Sequence, residues 1–368
     1  MARKLETDVY LLAAVVALVV FGVAMVFSAS AAVAAQQYGS SFHFVIRQSA
    51  YAVLGLAGMW VMMNLDFRRL RDPRLIFPAL AMTLILLMAV FLMPVRHDTH
   101  RWFYGGPLSF QPSEMAKLLL VVFFAYFLDL RRSAVNDFRH TLLPLGLVMG
   151  LVVALILKEP DLGTSLAIVL IAAAMLFAAG LQMRYFAGAG LAAIPLLYVV
   201  ISHATYRMNR LSGFLHPESD PLGKGFQMLQ SLIAVGSGGI LGMGLGEGHQ
   251  KLFFLPEPQT DFIYAVIGEE WGLIGALCVL AVFCLILWRG FRTAAYAPDG
   301  FGRLLAIGLT VLLVGQALVN MSVVIGLLPT KGIPLPFISY GGSSLLMNLV
   351  AAGILLNISR HAGARSVF

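Results

Sequence analysis

The chain has 368 residues, of which 60% are hydrophobic and only 12% charged, and its mean hydropathy is +0.87. Soluble domains are about 25% charged, so this composition excludes an ordinary water-soluble protein. The formal net charge of +7 does not point to nucleic acid, because the basic residues gather in short loops between apolar runs, a mark of membrane topology.

The apolar runs are long rather than alternating, which predicts helices and not a barrel. Ten runs follow in order: Val9 to Ala35, Phe44 to Asn64, Leu75 to Met93, Pro112 to Leu130, Thr141 to Leu157, Gly163 to Gly180, Tyr185 to His203, Asp261 to Trp288, Phe301 to Leu328 and Ser339 to Ile358. Each is near the roughly 20 residues that cross hydrocarbon. Met1 to Asp8 lead into a run far longer than a signal-peptide core, so no cleavable signal is expected. Cys278 and Cys284 lie in one predicted helix and cannot reach each other.

With both termini in the cytoplasm, fifteen Lys and Arg residues fall in inner segments. The short outer loops then hold five: Arg47, Arg96, Arg101, Lys158 and Lys331. That bias fixes the expected orientation. The expectation is an all-α integral membrane protein, a single polytopic domain over 1–368 with ten transmembrane helices. A large extracytoplasmic loop, 204–260, joins helices 7 and 8. Within it Phe226, Leu229, Leu232, Ile233 and Val235 recur at helical spacing, which fits an interfacial amphipathic helix or a segment packed over the bundle. Gly236 to Gly248 is rich in glycine but has no Gly-x-Gly-x-x-Gly and no following Gly-Lys-Ser/Thr, so no nucleotide site is expected. Flexible gating, or close approach to a ligand, is the better reading of these glycines.

The outer loops are long or charged, and such loops tend to carry function. Asp261 stands at the start of the eighth helix, after Leu255-Pro256-Glu257-Pro258-Gln259-Thr260. The helix dipole favours a carboxylate there, and it should stay ionised unless buried. It reads as a helix cap or as a catalytic base in a polar cleft. Glu269 and Glu270 follow inside the same apolar run, where acids are costly. At most one of them shares the face of Asp261.

In Phe110-Gln111-Pro112-Ser113-Glu114-Met115-Ala116-Lys117, Pro112 suits the first helical position. Glu114 and Lys117 are three apart and can pair. Lys117 lies about one to two turns below the helix start, so it either snorkels to the interface or serves a site. Arg101 offers a planar fork suited to phosphate, or is a solvated charge. Trp102 reads as an interfacial anchor. His97 and His100 are a weak metal signal. Glu159 and Asp161 flank Pro160 in a tight turn. They are turn formers, or with Asp261 they are oxygen ligands for a divalent cation.

The stretch Pro329-Thr330-Lys331-Gly332-Ile333-Pro334-Leu335-Pro336-Phe337-Ile338-Ser339-Tyr340-Gly341-Gly342-Ser343-Ser344 resembles the signature of the SEDS family (shape, elongation, division and sporulation). His100 to Phe103, Phe110 to Lys117, Glu159 to Gly163 and Leu255 to Glu270 are similar to other blocks of that family. The Thr-Lys-Gly wording looks like the FtsW-type division branch rather than the RodA elongation branch. The resemblance implies a peptidoglycan glycosyltransferase that polymerises lipid II at the outer face of the bacterial cytoplasmic membrane. The donor would be a glycan on undecaprenyl pyrophosphate. The partner would be a class B penicillin-binding protein, the transpeptidase, among other divisome or elongasome proteins. Asp261 matches the family's essential aspartate and would be the general base. Arg101, Glu114, Lys117, Lys331 and Ser339 would bind substrate. Glu159 and Asp161 would hold Mg²⁺ or Mn²⁺. Two other readings compete: a lipid II flippase, which needs polar groups through the full membrane depth, and a non-catalytic scaffold that recruits the transpeptidase.

Overall fold

The computed structural model describes residues 7–93, 100–105, 108–202, 205–221, 223–252, 254–330 and 332–362. Helix α1 (Val9–Tyr38) starts where Asp8 accepts a hydrogen bond from the Leu11 N–H, and it stops at Gly39 in the left-handed conformation. Helix α2 (His43–Asn64) follows, then α3 (Pro73–Ala89), which is capped by Asp72 with Pro73 in its first turn. A two-stranded antiparallel hairpin, β1 (Phe103–Gly105) with β2 (Leu108–Phe110), leads into α4 (Pro112–Leu130). Next come α5 (Leu143–Lys158), α6 (Leu162–Ala178) and α7 (Met183–Ser202). Two shorter helices, α8 (Thr205–Leu215) and α9 (Phe226–Ser237), precede α10 (Ile263–Ala295). Helix α11 (Gly300–Thr310) passes through a π-helical segment, Val311–Gly315, into α12 (Gln316–Val324). The last helix is α13 (Gly342–Ala362).

Helices cover all ten predicted apolar runs. Among the described residues, seven helical stretches are long and apolar enough to cross a membrane: α1, α2, Pro73–Leu92, Phe138–Lys158, α10, Gly300–Val324 and α13. Helix α6 is apolar but shorter, and α4 carries Glu114, Lys117 and Asp129. The bundle is organised around α13, which packs along α2 and also meets α1, α4, α10 and α11. The N-termini of α4, α6, α10 and α13 and the C-terminus of α12 meet at one end, and the polar groups concentrate there.

Helix α8 and the hairpin are additions to the predicted elements. Helix α9 forms as predicted but packs over the bundle. It buries Met228, Ser231 and Ala234 against α10 and α12, and Ser231 donates to the Val324 carbonyl at 2.8 Å. Leu232 and Ile233 face outward.

The glycine-rich segment is a clamp rather than a gate. Helix α10 is interrupted at Gly272, whose φ of 63° and ψ of −163° suit only glycine. At the break, Met243 and Gly244 N–H groups donate to the Glu269 and Glu270 carbonyls, both at 3.0 Å. Leu273 N–H donates back to Gly239 O at 2.9 Å, and Ile274 N–H to Ile240 O at 3.3 Å. A Cβ at Gly242 would collide with the Glu270 backbone, so the close approach needs glycine. The two acids that looked out of place serve the same clamp. Glu269 accepts the N–H groups of His249 (2.8 Å) and Gln250 (3.1 Å). Glu270 is fully buried, pairs with Lys251 and accepts from Ser28 at 2.6 Å.

Removing one partner of a buried pair strands the other charge. Lys251→Ala is expected to lower unfolding stability by about 3–5 kcal/mol. Adding Glu270→Leu to that variant should recover part of the loss. Thermal unfolding in detergent checks both. A single variant as stable as wild type would refute the clamp's dependence on this pair.

Candidate active site

A polar cavity of about 370 Å³ opens at the end where the charged helix starts meet. Asp261, Arg101, Lys117, Glu114 and Asp161 all line it. They come from three separate stretches of the chain, and the fold brings these onto one wall system.

Each is set by its local backbone. Asp261 immediately precedes Phe262, the N-cap residue of α10. Its carbonyl accepts from Asn320 Nδ2 at 2.8 Å. Its carboxyl faces Gly332, where an added Cβ would lie 3.3 Å from Asp261 Oδ2. Burial pushes the Asp261 carboxyl up from the usual carboxylate range to about 7; Glu257 and Asp161 add to the rise, while Arg210 and Arg101 oppose it. The ionised aspartate expected from the helix dipole is thus only part-ionised near neutral pH, because desolvation outweighs the dipole.

Lys117 does not snorkel. It is 3% exposed and donates to Glu114 Oε1 and to Gln316 Oε1, both at 2.9 Å. Arg101 lines the cavity with its guanidinium anchored on backbone, donating from Nε to Glu159 O at 2.7 Å and from Nη2 to Pro160 O. Asp161 caps α6: its Oδ1 accepts from Thr164 N at 2.9 Å and its Oδ2 from Thr164 Oγ1 at 2.8 Å.

Glu159 stands apart. It is fully buried, does not line the cavity, and among the described residues its two carboxyl oxygens have no hydrogen-bond partner. Burial raises its pKa to about 8, with Asp161 adding and Arg101 opposing. Glu159 does not share the cavity wall with Asp161 and Asp261, and Asp161 is already committed to Thr164. Among the described residues no group of three or more His, Cys, Asp and Glu side chains could hold a metal ion. Glu159 and Asp161 therefore do not fit a divalent cation, and no chemistry is routed through one. His100 is occupied by the Met93 carbonyl at 2.8 Å, and His97 lies outside the described residues. Lys331 also lies outside them.

Ser339 is buried behind the cavity. Its Oγ accepts from Leu335 N at 2.8 Å and donates to Thr260 O at 2.6 Å. It ties the signature loop to the strand of chain that carries Asp261.

Several groups in this arrangement carried no reading from sequence. Arg210 of α8 and Glu257 line the cavity. Gln316 Nε2 donates to Pro334 O at 3.0 Å, so one side chain bridges Lys117 to the signature loop. Asn320, one turn on, donates to Ile333 O at 2.7 Å as well as to Asp261 O. Gln316 and Asn320 are side-chain amides four apart in a largely apolar run, and that spacing is the available signal. Arg210 had none.

The FtsW/RodA/SpoVE family of cell cycle proteins matches over residues 9–364. The chain belongs to this family. It is 46% identical over 355 residues to a probable peptidoglycan glycosyltransferase FtsW of Geobacter metallireducens, covering 96% of this chain and 94% of that one. It is 41% identical over 362 residues to the stage V sporulation protein E of Bacillus subtilis, covering 98% and 99%. One solved structure, described as coordinating polymerization and crosslinking in a peptidoglycan synthase complex, aligns with a TM-score of 0.80 at 32% identity, covering 98% of this chain and 99% of that one. The rod shape determining protein RodA of Thermus thermophilus aligns with a TM-score of 0.71 at 29% identity, covering 96% and 97%.

Two expectations test the site's supports. Asn320→Ala removes donors from two carbonyls and should cost about 1–3 kcal/mol in stability, read by thermal unfolding; an unchanged midpoint would show that water replaces the side chain. For Glu159 the folded pKa of about 8 lies above the 4.5 of a free glutamate. Its contribution is fully present below about 4.5 and is lost as pH rises to about 8. Glu159→Gln should flatten that part of the stability–pH curve, and an identical slope would place Glu159 in a wetter setting.

Proposed function

We infer that the protein is a peptidoglycan glycosyltransferase of the division type, polymerising lipid II into glycan strands with Asp261 as general base. The observation that carries this is the shared cavity: a carboxyl with a pKa near 7 and the cations Arg101, Lys117 and Arg210 line one space. A base works best when its pKa lies near the operating pH.

In the proposed reaction the 4-hydroxyl of an incoming lipid II sugar attacks C1 of the growing glycan held on undecaprenyl pyrophosphate. The hydroxyl proton passes to Asp261, a new C–O bond forms, and the bond from C1 to the pyrophosphate oxygen breaks with inversion. Charge gathers on the departing pyrophosphate, and Arg101 and Arg210, which line the cavity, would meet it. Lys117 is partly offset by Glu114, so its contribution depends on that pair. Lys331 joins this set by its position in the signature. Ser339 acts through the backbone it holds.

The same reading takes the chain as one polytopic domain with ten spans and both termini cytoplasmic. The cavity then faces the periplasm or exterior, and 204–260 forms the large outer loop. Identities of 46% to FtsW-named relatives against 29% to the RodA structure favour division over elongation. A class B penicillin-binding protein is the proposed partner, supported by the synthase-complex likeness. A transport path loses its main support, because Glu269 and Glu270 are consumed by the clamp.

Asp261→Asn should reduce glycan synthesis from lipid II by at least about 100-fold with unchanged thermal stability at pH 6. Below about 7 the Asp261 carboxyl is protonated and cannot accept a proton, so wild-type kcat/KM should rise with pH and level off above about 7. Synthesis assays with the purified protein and its transpeptidase, run from pH 5.5 to 9, decide it. Full activity in the variant, or a profile flat across neutrality, removes the base.

A further inference from the structure

A second recess lies beside the polar cavity and is almost wholly apolar. It measures about 170 Å³ and runs between α6 and the π-helical segment that joins α11 to α12. Leu166 and Leu170 form one wall; Val311, Gly315 and Val319 form the other. Ala167, Gln316 and Ile333 line both this groove and the polar cavity, so the two spaces adjoin across these three residues. The outer lip faces the lipid side, where Leu170 is 46% exposed.

We infer that this groove seats the polyprenyl chain of the lipid-linked sugar, with the pyrophosphate end in the cavity; this rests on the reading of the cavity as a glycosyl-transfer site. Such a substrate has a charged head and a hydrocarbon tail on one chain. Its head must reach Asp261 while its tail stays in an apolar medium, so the site needs an apolar exit that begins at its polar wall. The groove begins at Gln316, the side chain that also holds Lys117.

The backbone makes the room. Gly315 ends the π-helical segment, and a Cβ there would meet only Leu170 Cδ2 at 3.5 Å and Val311 Cγ1 at 3.6 Å. Gly163, on the opposite wall, lets Ile333 close in; a Cβ at 163 would lie 2.7 Å from Ile333 Cγ1. The π-helical turn itself displaces the helix face and often marks functional sites. The space is too narrow for a partner's transmembrane helix, which is about 10 Å across. A slender methyl-branched chain fits its aliphatic walls. Moving such a chain from lipid to groove gains no burial from water. The gain is packing and alignment of the reacting head.

Two variants fill the groove from opposite walls, Gly315→Leu and Leu170→Trp, and neither residue lines the polar cavity. Each should raise KM for lipid II about tenfold, leaving kcat within about twofold. A photoreactive phenylalanine analogue at Leu170, in vesicles holding radiolabelled polyprenyl pyrophosphate, should capture the label; one at outward-facing Leu147 of α5 should not. Unchanged KM in both folded variants overturns the proposal. So does capture that is equal at the two positions, or capture of phospholipid chains that excess polyprenyl pyrophosphate does not displace. If wild-type protein makes no glycan yet Leu170 still captures the label, the groove stands and the glycosyl-transfer reading falls.

Discussion

Irregular backbone at one end of an apolar helix bundle must find hydrogen-bond partners within the protein, and the site is built from the side chains that meet this need. In an apolar setting an unpaired N–H or C=O costs several kcal/mol. The signature loop after α12 has no helix to satisfy it. Gln48 of α2 donates to Ser339 O at 3.1 Å and accepts from Gly341 N at 3.4 Å. Tyr340 N reaches Gln259 O at 2.8 Å, and Ser343 Oγ reaches Ser109 O at 3.0 Å. With Ser339, Gln316 and Asn320, these contacts fasten the loop to α2, the hairpin and the segment leading to Asp261. The polar groups that hold the loop thereby also set the distance between base and cations.

Charge in the cavity is balanced at short range rather than accumulated. Lys117 answers Glu114, Asp161 answers the α6 N-terminus, and Arg101 is fixed by two carbonyls. Asp261 is the exception: its side chain is confined between Gly332 and other carboxylates, and its proton affinity rises accordingly. A carboxyl whose burial and neighbouring carboxylates outweigh the pull of Arg210 and Arg101 is the group best able to take up a proton. Burial raises the proton affinity of Glu159 in the same way, although Glu159 does not line the cavity.

The helices were legible because an apolar run of membrane length has few other fates, and the run Pro112 to Leu130 coincides with α4. The chemistry was legible where charge broke such a run, as at Glu114 and Lys117, or met a helix start, as at Asp261. Three things were not. The roles of Glu269 and Glu270 depend on a loop twenty residues upstream folding back, and helical periodicity cannot report that. Arg210 reaches the cavity because α8 turns inward, a tertiary event without local signature. Ser339 donates to the Thr260 carbonyl, a partner far along the chain, and no local pattern reports that contact.

The break at Gly272 carries a consequence for how freely this loop can vary. The carbonyls ahead of the break are capped by residues 243 and 244, and Lys251 must still arrive opposite Glu270. The span from Gly238 to Lys251 therefore works as a ruler with two fixed ends. Inserting or deleting a single residue there would bare the carbonyls and pull the ammonium off its partner together. Length drift between α7 and α10 should accordingly avoid this ruler, which keeps its count.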